Sequence, residues 1–417
     1  MQKRLNNYKK INYCRLCNSK KIKLIHNFGL IPLGNNLQAS ILKSLKCQKY
    51  PLTLMNCQEC NHFQLSISVN PQILYAKNYT YLTGVTKAFR KHFFDYSKWV
   101  IKKCGLKKNS SVLEIGSNDG TCLNFFKKKN MEVLGIDPAN KPCTIANNKG
   151  IKTLNNFFNK RIANQIQKKF GKFDLITSHN VLAHTVNIKE IFESVFKILN
   201  QNAFFCFEIG YFKKVIEKNL FDTIYHEHLD YHHANPLIKV LEHIGFSILD
   251  ISTNNIQGGT LRLLLQKKSK NIKIKKIKKF LLKEKIFFKK IDIKKKFQDF
   301  NEILSQLNIQ IMKEIENKKN IYAYGSPTKA SLLLINSRLN KMIIKNSFED
   351  NILKCNKYIP GTDIKIINAE KVVLKKNSII IILAWNFVKE IIERLKKKNV
   401  KNVKLFIPLP KLIVKKI

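Results

Sequence analysis

Read for its apolar and polar positions, the chain falls into five stretches of different rhythm. Residues 1–70 keep no sustained period; short apolar runs are broken by turn residues and cysteines, the pattern of a small segment without a core of its own. Residues 71–105 open as a tyrosine-rich loop and become an amphipathic helix. Over residues 106–266, near-continuous apolar runs of strand length (SVLEIG, EVLGID, FDLITSHN, AFFCFEIG and TLRLLLQ) alternate with helical periods such as NIKEIFESVFKILN. That alternation predicts an α/β domain, doubly wound around a mostly parallel sheet. Residues 267–320 contain neither Gly nor Pro and predict a connecting helical segment. From 321 to 417, the runs IYAYGSPTKASLLLIN, MIIKNSFEDN, SIIIILAWN and VKLFIPLP repeat the strand–helix alternation on a smaller scale and predict a third, C-terminal α/β domain.

Length agrees with several domains, since 417 residues exceed what one core usually organises. The longest apolar run, SIIIILAW, has the length of a strand, so no membrane-spanning helix is expected. The opening MQKRLNNYKKINYC has no apolar signal core, and a soluble, cytoplasmic protein is expected. The formal charge of +48 raises nucleic acid or an anionic surface as a partner. Yet only seven of the 76 basic residues are arginine, and the lysines are spread along the whole chain. A solvated lysine-rich surface produced by codon drift explains this better than a polyanion site, so neither nucleic acid nor membrane is expected as a specific partner. A monomer is the default state.

Three groups of residues carry chemistry. Cys14-x-x-Cys17 and Cys57-x-x-Cys60 are paired CxxC motifs, whose four thiolates would satisfy a tetrahedral Zn²⁺ and close it off as a structural site. Disulfides are the rival reading, weakened by a reducing compartment. In SVLEIGSNDGTCL a strand ends in E-x-G-x-x-x-G, bringing Glu114, Gly116, Asn118 and Gly120 to a tight turn before a helix. EVLGID ends a second strand in Asp137, placed to accept from ribose hydroxyls. The spacing matches neither GxGxxG nor a phosphate loop. Taken together, the two acids and the glycine pair point to S-adenosylmethionine. The fourth strand, within FDLITSHNVLAHT, brings Asn180 and His184 toward the same carboxyl edge of the sheet.

The last group is IYHEHLDYHH, residues 224–233, with four of the ten histidines in the chain. The H-E-x-x-H zincin template fails because Asp230 stands four positions after His226, and no third ligand completes a catalytic metal site. What remains is a general base with polar supports: an imidazole titrates ordinarily near 6.5, so His228 could abstract a proton while Glu227 or Tyr225 fixes its tautomer or holds a substrate hydroxyl.

On these residues the chain resembles the S-adenosylmethionine-dependent nucleotide-sugar C-methyltransferases, enzymes of deoxysugar biosynthesis. The resemblance runs through the paired CxxC motifs, YTYLTG, VLEIGSNDG, HNVLAH, FEIGYF, FDTIYHEHLDY, QGGTLRLLL, YGSPTKAS, YIPGTDIKI and ILAWNF. It implies a class I, Rossmann-like methyltransferase core between a small N-terminal zinc domain and a C-terminal α/β substrate domain. It also implies methylation at C-3 of a dTDP-linked 4-keto sugar, with His228 removing the proton alpha to the ketone. Tyr225, Glu227, His184 and Tyr79 match positions around the reacting sugar, with Tyr81 a second candidate from the same loop, and Tyr81, Arg262 and Lys329 are expected to bind substrate. The sequence departs from the family's usual residues at Gln257, Thr260, Ser326 and Thr328, all toward the substrate. Two other readings stay open at this level, methylation of a sugar hydroxyl by the same His228 and a basic, zinc-containing nucleic-acid-binding protein.

Overall fold

A computed structural model describes residues 7–76, 82–267, 275–317, 319–371, 374 and 377–417. The chain forms two compact units, each assembled from separated pieces: residues 1–23, 56–213 and 227–291 make the first, and residues 24–55, 214–226 and 292–417 the second. The segment expected as a zinc domain over residues 1–70 therefore contributes to both. None of the described helices is long and apolar enough to cross a membrane.

The first unit is built on a seven-stranded sheet. Its strands are β1 (Ser111–Ile115), β2 (Glu132–Asp137), β3 (Thr153–Asn155), β4 (Phe173–His179), β5 (Leu199–Gly210), β6 (Phe246–Asn254) and β7 (Thr260–Lys267), in the spatial order β3-β2-β1-β4-β5-β7-β6. The pairs from β3 through β5 are parallel. Strand β7 runs antiparallel between β5 and β6. Alternate residues face opposite layers, as the pleat requires. Leu113, Ile115, Ile176, Phe205 and Phe207 feed one core, while Val112, Leu175, Cys206 and Leu264 feed the other. Strand order reverses at β1, and in such sheets ligands bind outside the carboxyl ends at that point.

Helix α1 (Lys87–Cys104) covers the second layer. Thr86 Oγ1 caps it by accepting the Phe89 N–H, and Gly105 ends it at φ 62°, the left-handed conformation glycine adopts without strain. Phe93, Tyr96 and Val100 lie on one stripe and are buried, each contributing about 1.5–3 kcal/mol. Toward the carboxyl edge this layer turns polar. Glu208 accepts from Arg262 Nε at 2.7 Å, pairs with His92 Nε2 at 2.6 Å and with His179 Nδ1 at 3.0 Å. Burial alone would raise the Glu208 carboxyl, but hydrogen bonds from His179 and His92 outweigh it and hold the group well below the carboxylate range.

The second unit carries a sheet of β8 (Ile321–Tyr324), β9 (Ile344–Glu349), β10 (Lys365–Asn368), β11 (Ile379–Ile382), β12 (Lys404–Ile407) and β13 (Ile413–Lys416), in the order β10-β9-β8-β11-β12-β13. Only the edge strand β13 is antiparallel. All four isoleucines of β11 are buried, as a strand covered on both faces demands. Gly325, at φ 89°, closes β8; a Cβ there would stand 2.4 Å from the Ala384 Cβ. Residues 24–55 pack into this unit, with Thr328 donating to Asn35 Oδ1 at 2.8 Å and Ser44 donating to the carbonyls of Ile359 and Thr362.

Candidate active site

Three loops follow the carboxyl ends of β1, β2 and β4 at the strand-order reversal. Gly116 and Gly120 both have φ 73°, and a Cβ on Gly116 would lie 2.1 Å from Val181 Cγ2, so only glycine lets the β1 and β4 loops approach this closely. Asp137 accepts the Asn118 N–H at 3.0 Å and the Ala139 N–H at 2.9 Å; burial raises its carboxyl, and these bonds oppose the shift. Asn180 follows β4 at φ 55° and donates its N–H to the Glu208 carbonyl at 2.7 Å. Glu114 lies deeper, beneath the loop, where burial pushes its carboxyl well above the usual range. Thr83 and Gly84 hold the glycine turn, a contact without a local signal: Thr83 N–H donates to Asn118 Oδ1 and Gly84 N–H to Asp119 Oδ2. This set of glycines, backbone amides and an acid ending β2 fits S-adenosylmethionine.

His184 ends a short 3₁₀ turn, Leu182–His184, on the loop after β4. Its Nδ1 lies 2.6 Å from the Glu227 carbonyl, an acceptor only, so Nδ1 carries the proton. Tyr75 donates its hydroxyl to the same carbonyl at 2.9 Å and lies 3.0 Å from His184 Nδ1. Desolvation lowers the His184 pKa, keeping the ring neutral. Leu229 N–H donates to the Ala183 carbonyl at 2.7 Å. The two segments are thus zipped together, bringing the His184 and His228 rings to 4.9 Å. His228 is half-buried.

The four histidines of the cluster have separate roles. His233 Nδ1 meets Glu284 at 3.1 Å, and Glu284 also accepts from Tyr211 and from the N–H groups of Ala234 and Asn235; it caps the helix Ala234–Ile244. His232 is fully buried beside His62. His226, in the second unit, packs on Tyr50 and lies 3.3 Å from its carbonyl. Burial lowers His226 to about 4 and His232 to about 3. Both lose their neutral state on unfolding when the pH is below the ordinary value near 6.5. Their contribution is therefore complete above that value and is lost as pH falls through 6.5 toward 4 and 3. We expect urea unfolding to show stability dropping by about 3 kcal/mol or more between pH 7.5 and 4.5, with smaller slopes in His226→Gln and His232→Gln.

Tyr225 is half-buried in the second unit, on the segment 214–226. In the same unit Lys329 pairs with Asp222 Oδ2 at 2.9 Å and lies 3.5 Å over the Trp385 ring; burial lowers its pKa, opposed by Asp222. Tyr79 and Tyr81 lie outside the described residues. Arg262 is engaged inside the sheet, with Nη2 2.6 Å from Glu208 and its guanidinium over Trp99 and Tyr96.

The cysteine sulfurs of residues 14, 17, 57 and 60 all lie within 4.8 Å of one another, with Cys14–Cys60 at 3.5 Å and Cys17–Cys57 at 3.6 Å. These separations are far from the roughly 2.05 Å of a disulfide and close to the roughly 3.8 Å edge of a tetrahedron with 2.3 Å Zn–S bonds. The two knuckles are built alike: Asn18 and Asn61 follow the second cysteine at φ 61° and 63°, and each donates its N–H to the carbonyl of the first, at 2.9 Å in both. Without a cation, crowding divides the thiols: a hydrogen bond from Cys60 holds Cys14 down at about 5, whereas burial lifts Cys17 to about 11. A bound dication removes that conflict by favouring all four thiolates. The site fits Zn²⁺.

Comparison with known proteins agrees with this architecture. Residues 14–75 match a zinc-binding-domain model, 89–251 a methyltransferase-domain model and 255–410 the model of a C-methyltransferase C-terminal domain. Together these matches span most of the chain and support an S-adenosylmethionine-dependent C-methyltransferase. A curated relative, the C-methyltransferase NovU of Streptomyces niveus, is 26% identical over 404 residues, covering 96% of each chain. Solved structures similar to part of the chain include an S-adenosylmethionine-dependent methyltransferase from Clostridium acetobutylicum (14% identity, 43% of this chain and 92% of that one, TM-score 0.35). Another is magnesium protoporphyrin IX methyltransferase from Synechocystis with bound S-adenosylmethionine (14% identity, 42% and 78%, TM-score 0.33).

Proposed function

We propose that this C-methyltransferase acts on the carbon alpha to the keto group of a nucleotide-diphosphate 4-keto-deoxysugar, at C-3, with a dTDP-linked sugar as the preferred class. The observation that carries this reading is the ring of His228, half-buried and 4.9 Å from His184, on a segment hydrogen-bonded to the loop after β4. S-adenosylmethionine, when bound, supplies an electrophilic methyl group on its sulfonium. His228 removes the alpha proton as general base, leaving the enolate carbon as nucleophile. A carbon acid gives up its proton reluctantly, so the developing oxyanion needs fixed donors. Neutral His184, its Nδ1–H held by the Glu227 carbonyl, stands beside the His228 ring as a support. In the second unit, Lys329 is assigned to the diphosphate, a buried cation whose partner Asp222 it would exchange for a phosphoryl oxygen.

The test is a panel of dTDP-, GDP- and CDP-linked 4-keto sugars incubated with S-adenosylmethionine in deuterated solvent. The expected product carries the new methyl on carbon beside the ketone by NMR, and unreacted sugar gains deuterium there at a rate dependent on His228. A methyl on oxygen, with no exchange, would move the acceptor to a hydroxyl.

A further inference from the structure

We propose that Arg15, set between the two cysteines of the first zinc knuckle, is a positioning residue for His184 and His228: the zinc site is the mount on which the histidine pair is held at its working separation. The proposal rests on the catalytic reading of those two histidines given above.

Arg15 is buried, 8% exposed, an unusual place for a guanidinium. It occupies the second position of Cys14-Arg15-Leu16-Cys17, so the metal site fixes its backbone on both sides. Its Nε donates to Asp230 Oδ1 at 2.9 Å, and Nη2 donates to the Thr185 carbonyl. Asp230 stands two residues after His228, and Thr185 one residue after His184. One planar fork therefore grips both histidine-bearing segments next to their functional side chains. The second knuckle reaches the same place. His62, two residues after Cys60, lies 2.9 Å from the same Asp230 oxygen, and the short strand Phe63–Leu65 pairs with Asp230–Tyr231 through Gln64 and Phe63. Gln64 Oε1 in turn accepts the Arg15 N–H at 2.8 Å, locking the knuckles to each other.

A zinc site that only staples the N-terminal segment has no need to aim a buried guanidinium at a remote loop. Here both knuckles converge on one carboxylate, and the segments they clamp are those joined by the Leu229–Ala183 hydrogen bond. Side chains that set a reacting geometry can be worth about 100-fold in rate for a displacement of about 1 Å.

Arg15→Lys keeps the charge beside Asp230 but cannot donate in a fork to both acceptors; Arg15→Gln serves as a second variant. For the full-length protein, zinc content, S-adenosylmethionine affinity and melting temperature are measured beside kcat and KM on the best sugar. Ring-to-ring nuclear Overhauser contacts between His184 and His228 are followed in histidine-labelled protein. We expect zinc content and cofactor affinity within about two-fold of wild type, kcat lower by about 10- to 100-fold with KM little changed, and loss of the His184–His228 contact. An unchanged contact with unchanged kcat would overturn the proposal. So would a fall in kcat that merely follows loss of zinc or folded protein. If no keto sugar is methylated even by wild type, the reaction reading fails by itself, and the ring contact, read without substrate, still decides the role of Arg15.

Discussion

His228→Asn is expected to lower methyl transfer by about three orders of magnitude or more, the range a well-placed general base supplies, while S-adenosylmethionine binding by calorimetry stays within about two-fold of wild type. The reason for the separation is geometric. His228 stands with His184, Tyr75 and the Glu227 carbonyl, whereas the cofactor loops Gly116–Gly120 and Asp137–Ala139 make their hydrogen bonds to one another and to residues 83 and 84. Asparagine fills similar space and can still donate, but it cannot take a proton near neutral pH. His184→Asn should cost less, because His184 is held by a carbonyl and a tyrosine as a neutral support. Methyl transfer by His228→Asn at the wild-type rate would remove the imidazole from the mechanism.

Removing zinc should produce the second large effect. Structural zinc sites contribute on the order of 10 kcal/mol to the folding of the segments they organise. In this chain the loss would also reach Asp230, whose carboxyl burial alone would raise, but which Arg15 and His62 hold well below the usual range. Detaching the knuckles strands that carboxylate in the core, a situation that costs about 3–5 kcal/mol. Chelator treatment, or Cys57→Ser, is therefore expected to abolish activity and to lower the melting temperature by about 10 °C, with metal analysis showing the loss of bound zinc. Retained activity in metal-free protein would contradict the arrangement described.

Much of the first sheet was legible as apolar runs, because a strand buried on both faces has to be apolar along its length. Five such runs stand out, yet seven strands form. Strand β3 is only three residues long, and β6, FSILDISTN, breaks its alternation at a register shift between Ile248 and Asp250. Neither leaves a period to detect. The glycine turn, Asp137, the four cysteines and the pair His184–His228 announced themselves by residue type and spacing. Their partners did not. Tyr75 is an ordinary tyrosine in ILYAK until the fold sets its hydroxyl on Glu227, and Arg15 is one basic residue among 76. Nor does a lone arginine in a strand announce the buried glutamate across from it, as Arg262 and Glu208 show. Contacts separated by 54 to 215 residues, as these are, come from topology, which local patterns do not carry.

The interleaving of the two units has a practical consequence for protein engineering. Because residues 24–55 and 214–226 belong with the C-terminal portion of the chain, a chimera spliced once near residue 291 would combine the tail of one parent with two inserts from the other. Exchanging the whole second unit between relatives would therefore require a three-fragment graft, and single-crossover recombination should yield mostly misassembled offspring.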